Sequence, residues 1–319
     1  MYLLGALSRW LKRPLAYKLD SLIYRIKADH SAKRFILWLL RQLSKSVFFR
    51  PSLFLFHDKQ QYVIAPTREG LSYIVSSSDL CIGRLTFEDQ FSYESEMMDV
   101  VMKTLAKPCF DQLLDIGSNI GSIAMYSVCA KYASSALAFE PDSLNYKLLS
   151  LNIQLNNLAE KITPRNVALC DQNNTTLKFA KSAQNHGDHR VGFSEQQINS
   201  FNSQEFVLVQ GRTLESYRAE INTSSLLMVM DAQGSEGHIL SGFPSFQNSK
   251  IPLLVEYHPN GLRNSGGFEK FVSCIMSSGN TQLIDMHAPS VILPLSKKSL
   301  IGIANSLTRD VPETDLLIF

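Results

Sequence analysis

Gln112-Leu-Leu-Asp115-Ile-Gly117-Ser-Asn119-Ile-Gly121, followed by an apolar-rich segment to Lys131 and then by Ala136-Leu-Ala-Phe139-Glu140-Pro141, reads as a strand, a glycine turn opening a helix, and a second strand ending in a carboxylate. Such a unit presents backbone N–H groups at its turn and an acid at the next strand end, which suits a nucleoside-bearing ligand. A dinucleotide fingerprint wants G-x-G-x-x-G after the first strand, but Asp115 and Ile120 stand where its first and third glycines belong. A nicotinamide oxidoreductase is therefore disfavoured. The phosphate-loop string G-x-x-x-x-G-K-[ST] does not occur at this turn either.

What remains is Asp115-x-Gly117-x-Asn119-x-Gly121. The two glycines let the backbone approach a ligand closely, and a carboxylate at Asp115 repels phosphate but attracts an ammonium or sulfonium. Glu140 is placed to accept hydrogen bonds from ribose hydroxyls. A cationic donor with a free ribose diol, S-adenosyl-L-methionine, fits both demands. The bland alternative makes Asp115 a helix cap and Glu140 a surface acid.

Outward from this unit, the 319 residues are 45% apolar, enough for one large α/β domain and an appendage. The net charge of +2 conceals an asymmetry: residues 1–50 hold 11 Lys/Arg against Asp20 and Asp29, leaving 20 basic and 27 acidic residues elsewhere. Leu19, Leu22, Ile23 and Ile26 keep helical spacing and Phe35–Leu43 resembles them, so residues 1–58 are expected to form a basic amphipathic arm. Its basic flanks suit a peripheral membrane surface or a protein partner, or simply a solvated face on the main domain. Nucleic acid is not expected, because no nucleic-acid motif accompanies the charge. Neither a signal peptide nor a membrane span is read, and five scattered cysteines without a C-x-x-C pair favour a reduced, cytoplasmic setting.

Residues 59–108 are expected to form a β-hairpin cap, from Tyr62-Val-Ile-Ala and Leu71-Ser-Tyr-Ile-Val, and a helix leading into the first strand. Residues 109–319 alternate strand and helix, the pattern of a mostly parallel sheet covered on both faces. Within it Ser143–Asn156 is the clearest helix, with Leu144, Leu148, Leu151 and Leu155 on one side and Asp142 or Ser143 as cap. Arg165–Cys170 reads as the third strand, and the polar stretch Lys181–Gln204 interrupts the alternation.

Several ordered segments resemble the FkbM family of S-adenosylmethionine-dependent methyltransferases: Leu114-Asp-Ile-Gly-Ser-Asn-Ile-Gly121, Phe139-Glu-Pro141, Asn166-Val-Ala-Leu-Cys-Asp171, Thr213-Leu214 and Met230-Asp-Ala-Gln-Gly-Ser-Glu236. The resemblance runs over roughly residues 90–319, from Tyr93-Glu94 to the terminal Asp315-Leu-Leu-Ile-Phe319. It implies a Rossmann-like class I methyltransferase with a seven-stranded sheet and an antiparallel last strand. It also implies methyl transfer to a hydroxyl of a sugar, glycan or secondary metabolite. With it, Glu94, Ser118, Pro141 and Ala168 join Asp115, Gly117, Asn119, Gly121 and Glu140 as expected cofactor contacts. Ser118 stands where the family often has Ala, and Ala232 where it often has a branched residue; both changes are small.

Methyl transfer from a sulfonium is an in-line displacement that needs an aligned acceptor and gains from a base. Asp231 ends a central strand, where open α/β sheets place ligands, and is expected either as that base or as a contact for the methionine amine. Glu236 is a candidate for substrate binding or for a helix start, and His258 for a base or a polar rim residue. His186, Asp188 and His189 lack a third well-spaced partner on a regular element, so no metal is expected, and their loop is read as a lid or acceptor-binding segment. The non-enzymatic alternative is a silent methyltransferase-fold scaffold docked through the basic arm.

Overall fold

The described part of the chain opens with a hairpin, β1 (Tyr62–Pro66) and β2 (Ser72–Ser76), in antiparallel register with Ile64 opposite Ile74. This is the expected hairpin. Two helices follow, α1 (Ile82–Asp89) and α2 (Ser95–Leu105), the latter burying Met98, Val101 and Met102 as its spacing predicts. The computed structural model describes residues 62–182, 185–193, 197–198, 205–222 and 224–319. The chain divides into the units Met1–Gln61 and Tyr62–Phe319, so the expected helices of the basic arm lie outside the described residues, as does part of the expected lid.

Next come β3 (Phe110–Ile116), α3 (Ser122–Cys129), β4 (Ala133–Phe139), α4 (Ser143–Leu155) and β5 (Ile162–Arg165). Four strands then leave the main sheet: β6 (Ala168–Leu169), β7 (Thr175–Lys181), β8 (Arg190–Gly192) and β9 (Glu205–Arg212). After a 3-10 turn the chain returns with β10 (Leu226–Met230), α5 (Glu236–Ser241) and β11 (Leu253–Tyr257). It closes with α6 (Pro259–Asn264), α7 (Phe268–Ser277), β12 (Gln282–Asp285), β13 (Ile292–Pro294), α8 (Lys297–Ser306) and β14 (Thr314–Ile318).

The main sheet has the order β13-β12-β14-β11-β10-β3-β4-β5. β11, β10, β3, β4 and β5 are mutually parallel, and β14 inserts antiparallel between β11 and β12. Every residue of β10 and β11 is buried, which is why Leu-Leu-Met-Val-Met and Leu-Leu-Val-Glu-Tyr show no alternation: helices cover both faces. The expected Rossmann-like α/β fold is present, with one correction. The sheet has eight strands rather than seven, because β13 turns back on β12 and adds an edge.

Two further readings need correcting. The third parallel strand is β5, Ile162–Arg165, whereas Ala168–Leu169 peels off to pair with β9 in a separate four-stranded sheet, β6-β9-β7-β8. On α4 the apolar side is Leu148, Leu149 and Ile153; Leu151 and Leu155 face solvent. The helix buries Asn145 and Asn152 beside those leucines, which disguises its inner face. Asn152 earns its place at the hairpin: its Oδ1 accepts from Ile74 N at 2.6 Å and its Nδ2 donates to Ile120 O at 3.1 Å. Asn156 does the same for Ser72 N at 2.9 Å, so the open edge of β2 is satisfied by side-chain amides.

Candidate functional site

Parallel register brings the ends of β3, β4 and β10 to one place, with Asp115 opposite Val229 and Ala138. The turn after β3 folds over those ends. Gly117 and Ser118 each donate N–H to Phe139 O at 3.0 Å, and Gly117 adopts φ +86°. A Cβ at Gly117 would overlap the carbonyl oxygen of Asp231, so only glycine fits this crossing. Gly121, at φ +91°, backs onto Leu149 of α4, where a Cβ would come within 2.6 Å of Cδ1.

Glu140 is clamped at the end of β4. Its Oε2 accepts from Asn119 N at 2.9 Å and its Oε1 from Asp142 N at 2.7 Å. Burial pushes its carboxyl up to about 8, against these two N–H bonds, which favour the anion. Asp142 caps α4 by accepting from Leu144 N and Asn145 N, and Lys181 pairs with it at 3.0 Å. Burial alone would raise the Asp142 carboxyl, but the N–H bonds and Lys181 hold it below the usual range.

A cleft of about 530 Å³, counting its open mouth, runs along this turn. Of the residues expected as cofactor contacts, Gly117, Asn119, Glu140, Pro141, Ala168 and Asp231 line it. The remaining expected residues lie behind or beside it. Asp115 is buried under the turn with Oδ2 accepting from Ala124 N at 3.1 Å, and Ser118 turns its hydroxyl onto Asp115 O at 2.6 Å. The helix-capping reading of Asp115 thus describes its contact. Burial raises its carboxyl to about 7.

The far wall of the cleft comes from residues the sequence reading did not single out as cofactor contacts: Phe179 of β7, Val191 of β8, and Val167 and Leu169 around β6 make an apolar slot beside Phe139. The loop before β8 closes it. Asn119 Nδ2 and Asn145 Nδ2 both donate to His186 O, at 2.9 and 3.0 Å, and His186 and His189 line the cleft. Asp188 pairs with Arg190, and His189 Nδ1 accepts from Ser182 N at 2.9 Å. Among the described residues no three His, Cys, Asp or Glu side chains are grouped to hold a metal. The alternation in Thr175-Thr-Leu-Lys-Phe-Ala-Lys181 was the available signal for this wall.

At the other end of the cleft the carboxylates gather. Asp231 follows β10, and Gln233 Nε2 donates to Asp231 Oδ1 at 2.8 Å and to Glu256 Oε1 at 2.9 Å. Glu256 of β11 stands opposite Asp315 of β14, two acids directly across an antiparallel pair. Burial, then Asp315 and Glu313, push Asp231 up to about 7, and burial with Asp231 and Glu236 pushes Glu256 well above its usual range. Glu94, at the start of α2, is likewise raised by burial and by Asp315, Asp231 and Asp115.

Glu236 and His258 are not lining residues. Glu236 Oε1 accepts from Ala232 N at 3.0 Å and Gly234 N at 3.2 Å, so it clamps the loop at the head of α5. His258 sits beside Glu313, with 3.7 Å between Nδ1 and Oε2, and burial lowers its imidazole. Its place is the rim.

A family model described as the methyltransferase FkbM domain matches residues 115–272, which span the turn, Glu140, the second sheet, Asp231 and Glu256. No curated protein matches the chain in sequence. Among solved structures, an FkbM methyltransferase from Methylobacillus flagellatus KT aligns at 16% identity and a TM-score of 0.41, covering 66% of this chain and 44% of that one. The chain thus spans less than half the length of that protein. TYW2 of P. horikoshii, in complex with MeSAdo, aligns at 13% identity and a TM-score of 0.40, covering 82% and 73%. A putative O-methyltransferase from Klebsiella pneumoniae aligns at 10% identity and a TM-score of 0.40, covering 72% and 80%.

Proposed function

Taking as premise that residues 115–272 belong to the FkbM methyltransferase domain family, we propose that the chain is an S-adenosylmethionine-dependent O-methyltransferase acting on a hydroxyl of a sugar, glycan or secondary metabolite. The observation that carries the reading is the polarity of the cleft: an apolar slot, a strand-end carboxylate and a cluster of acids that no cation pairs with among the described residues.

The chain's own groups fit such a cofactor. Phe139, Val167, Leu169 and Phe179 suit an adenine, and Glu140 suits a ribose diol. Asn119 Oδ1 is buried without a partner at the turn, an acceptor available to a ligand donor. Glu94, Asp231 and Asp315 make the opposite end favourable for positive charge. When bound, the cofactor supplies an electrophilic methyl group on a sulfonium. Asp231 faces that end from the cleft wall, takes the acceptor's hydroxyl proton, and is oriented by Gln233. Loss of water beneath the His186 loop strengthens these interactions. Glu236 and His258 act on the loop and the rim, not on the acceptor.

Calorimetry with S-adenosylhomocysteine tests the reading. Wild type is expected to bind, and Glu140→Ala to bind at least about tenfold more weakly through loss of the carboxyl's hydrogen bonds to the ribose diol and to the Asn119 and Asp142 N–H groups. Folded protein that does not bind, or undiminished binding by Glu140→Ala, refutes it.

A further inference from the structure

Gln233 has one amide nitrogen and gives both of its hydrogens to acids, one to Asp231 and one to Glu256. It is held for this task. Its backbone lies at φ +52°, and Glu236 Oε1 grips the N–H groups of Ala232 and Gly234 on either side. Glu256 is only 8% exposed, and its second oxygen, Oε2, is buried without a partner. Among the described residues, no ion pair engages Asp231, Glu256, Glu94 or Asp315.

We propose that Glu256 is a positioning residue that, acting through Gln233, ties the ionisation of Asp231 to the charge of the bound cofactor. The Asp231–Gln233–Glu256 unit would give up a proton when a sulfonium binds and take one from the acceptor hydroxyl on methyl transfer. The inference rests on the cofactor reading above and deepens it by saying how the base is switched on.

The balance closes. The acceptor O–H bond breaks and an O–CH3 bond forms, while the S–CH3 bond breaks and its electron pair stays on sulfur. The hydroxyl proton ends on the carboxylate unit. Before transfer the cleft holds a carboxylate and a sulfonium; afterwards it holds a carboxyl and a thioether, with the same net charge. A buried site has reason to keep that sum constant, because uncompensated charge is costly there.

The surroundings supply acids in excess of cations. Glu94 faces the unit from α2, Asp115 from β3, Glu236 from α5, and Glu313 and Asp315 from β14 and the residue before it. Asp188, Arg190 and His258 stand at the rim, where Arg190 is paired with Asp188 and His258 lies against Glu313. The raised carboxyls of Asp231 and Glu256 are consistent with a unit that holds a proton until a cation arrives.

The test is calorimetry at pH 7 in two buffers of different ionisation enthalpy, titrating the full chain with S-adenosylmethionine and separately with S-adenosylhomocysteine. The sulfonium ligand is expected to release about one proton more than the thioether. In Glu256→Gln that difference is expected to fall by more than half, while affinity for S-adenosylhomocysteine changes by less than about threefold. A merely structural role for Glu256 would leave the difference intact. Should Glu256→Gln not fold, Asp231→Asn reads the same unit from its other end with the same expected loss. Equal proton counts for both ligands, or an undiminished difference in these variants, overturn this inference alone; failure of folded wild type to bind either ligand overturns the cofactor reading as well.

Discussion

The two ends of the cleft are built on opposite principles. At the turn end, backbone geometry and hydrogen bonds hold the acids: both oxygens of Glu140 accept N–H bonds, Asp115 meets Ala124 N, and Asp142 caps α4 and pairs with Lys181. At the strand end, Asp231, Glu256, Asp315 and Glu94 crowd together with Gln233 as the bridging donor between two of them. One end is closed by the chain's own N–H groups. The other is short of donors and, among the described residues, has no ion pair to its acids. The difference teaches that one cleft can satisfy its acids with backbone N–H groups at one end and leave them short of donors at the other.

The largest effect is expected at the turn. Gly117→Ala must both adopt φ +86° and displace the Asp231 carbonyl, joining the two ends in one lesion. It is expected to abolish S-adenosylhomocysteine binding and cost about 3 kcal/mol or more in denaturant unfolding. A variant with near-native binding would show that the turn is not the rigid partner in the comparison.

A smaller effect, of pH, draws on the acids of both ends. Asp315, Asp115, Asp231 and Glu140 are raised to about 6, 7, 7 and 8. An acid raised on folding binds its proton more tightly in the native state, so stability is highest below the unfolded value and is lost as pH rises through the folded one. The melting temperature of unliganded protein is expected to fall by at least about 3 °C between pH 5 and pH 8.5. Saturating S-adenosylmethionine is expected to flatten that slope more than S-adenosylhomocysteine does, since the sulfonium relieves the strand-end cluster. A rise in melting temperature over the same interval, measured by calorimetry, would contradict the assignment of raised carboxyls.

The smallest effect belongs to the loop over the turn end. Asn145→Ala removes one of two amides that donate to His186 O, leaving Asn119 as the other. About 1 kcal/mol of cofactor affinity, roughly fivefold, is expected to be lost, with little change in global stability. Hydrogen exchange across residues 185–193 should rise in this variant. Unchanged exchange would mean that β7 and β8, not the amides, hold the loop in place.

Much of the turn end was legible from neighbours in the chain. Asp115-x-Gly117-x-Asn119-x-Gly121 and Glu140 belong to one strand–turn–helix–strand unit, and the structure puts Gly117, Asn119 and Glu140 in the cleft wall. The register of α4 was not legible, because Asn145 and Asn152 occupy inward positions that hydrophobic periodicity assigns to leucines. Those asparagines are buried on account of long-range bonds, to His186 O and to the hairpin edge, which no local pattern reports. The second sheet escaped for a related reason: β6 and β8 have two and three residues, too short for alternation to register.

By itself the sequence determined the parallel strand–turn–helix unit, since its strands, its glycines and its strand-end acid lie within about thirty positions of one another. Only the tertiary structure decided which acids share the strand end. That choice depends on register between strands far apart in the chain, Asp115 beside Val229, Met230 beside Val255, and Glu256 opposite Asp315. Cross-strand pairing is a property of the assembled sheet, because hydrogen-bonded ladders and the packing of both faces select it together.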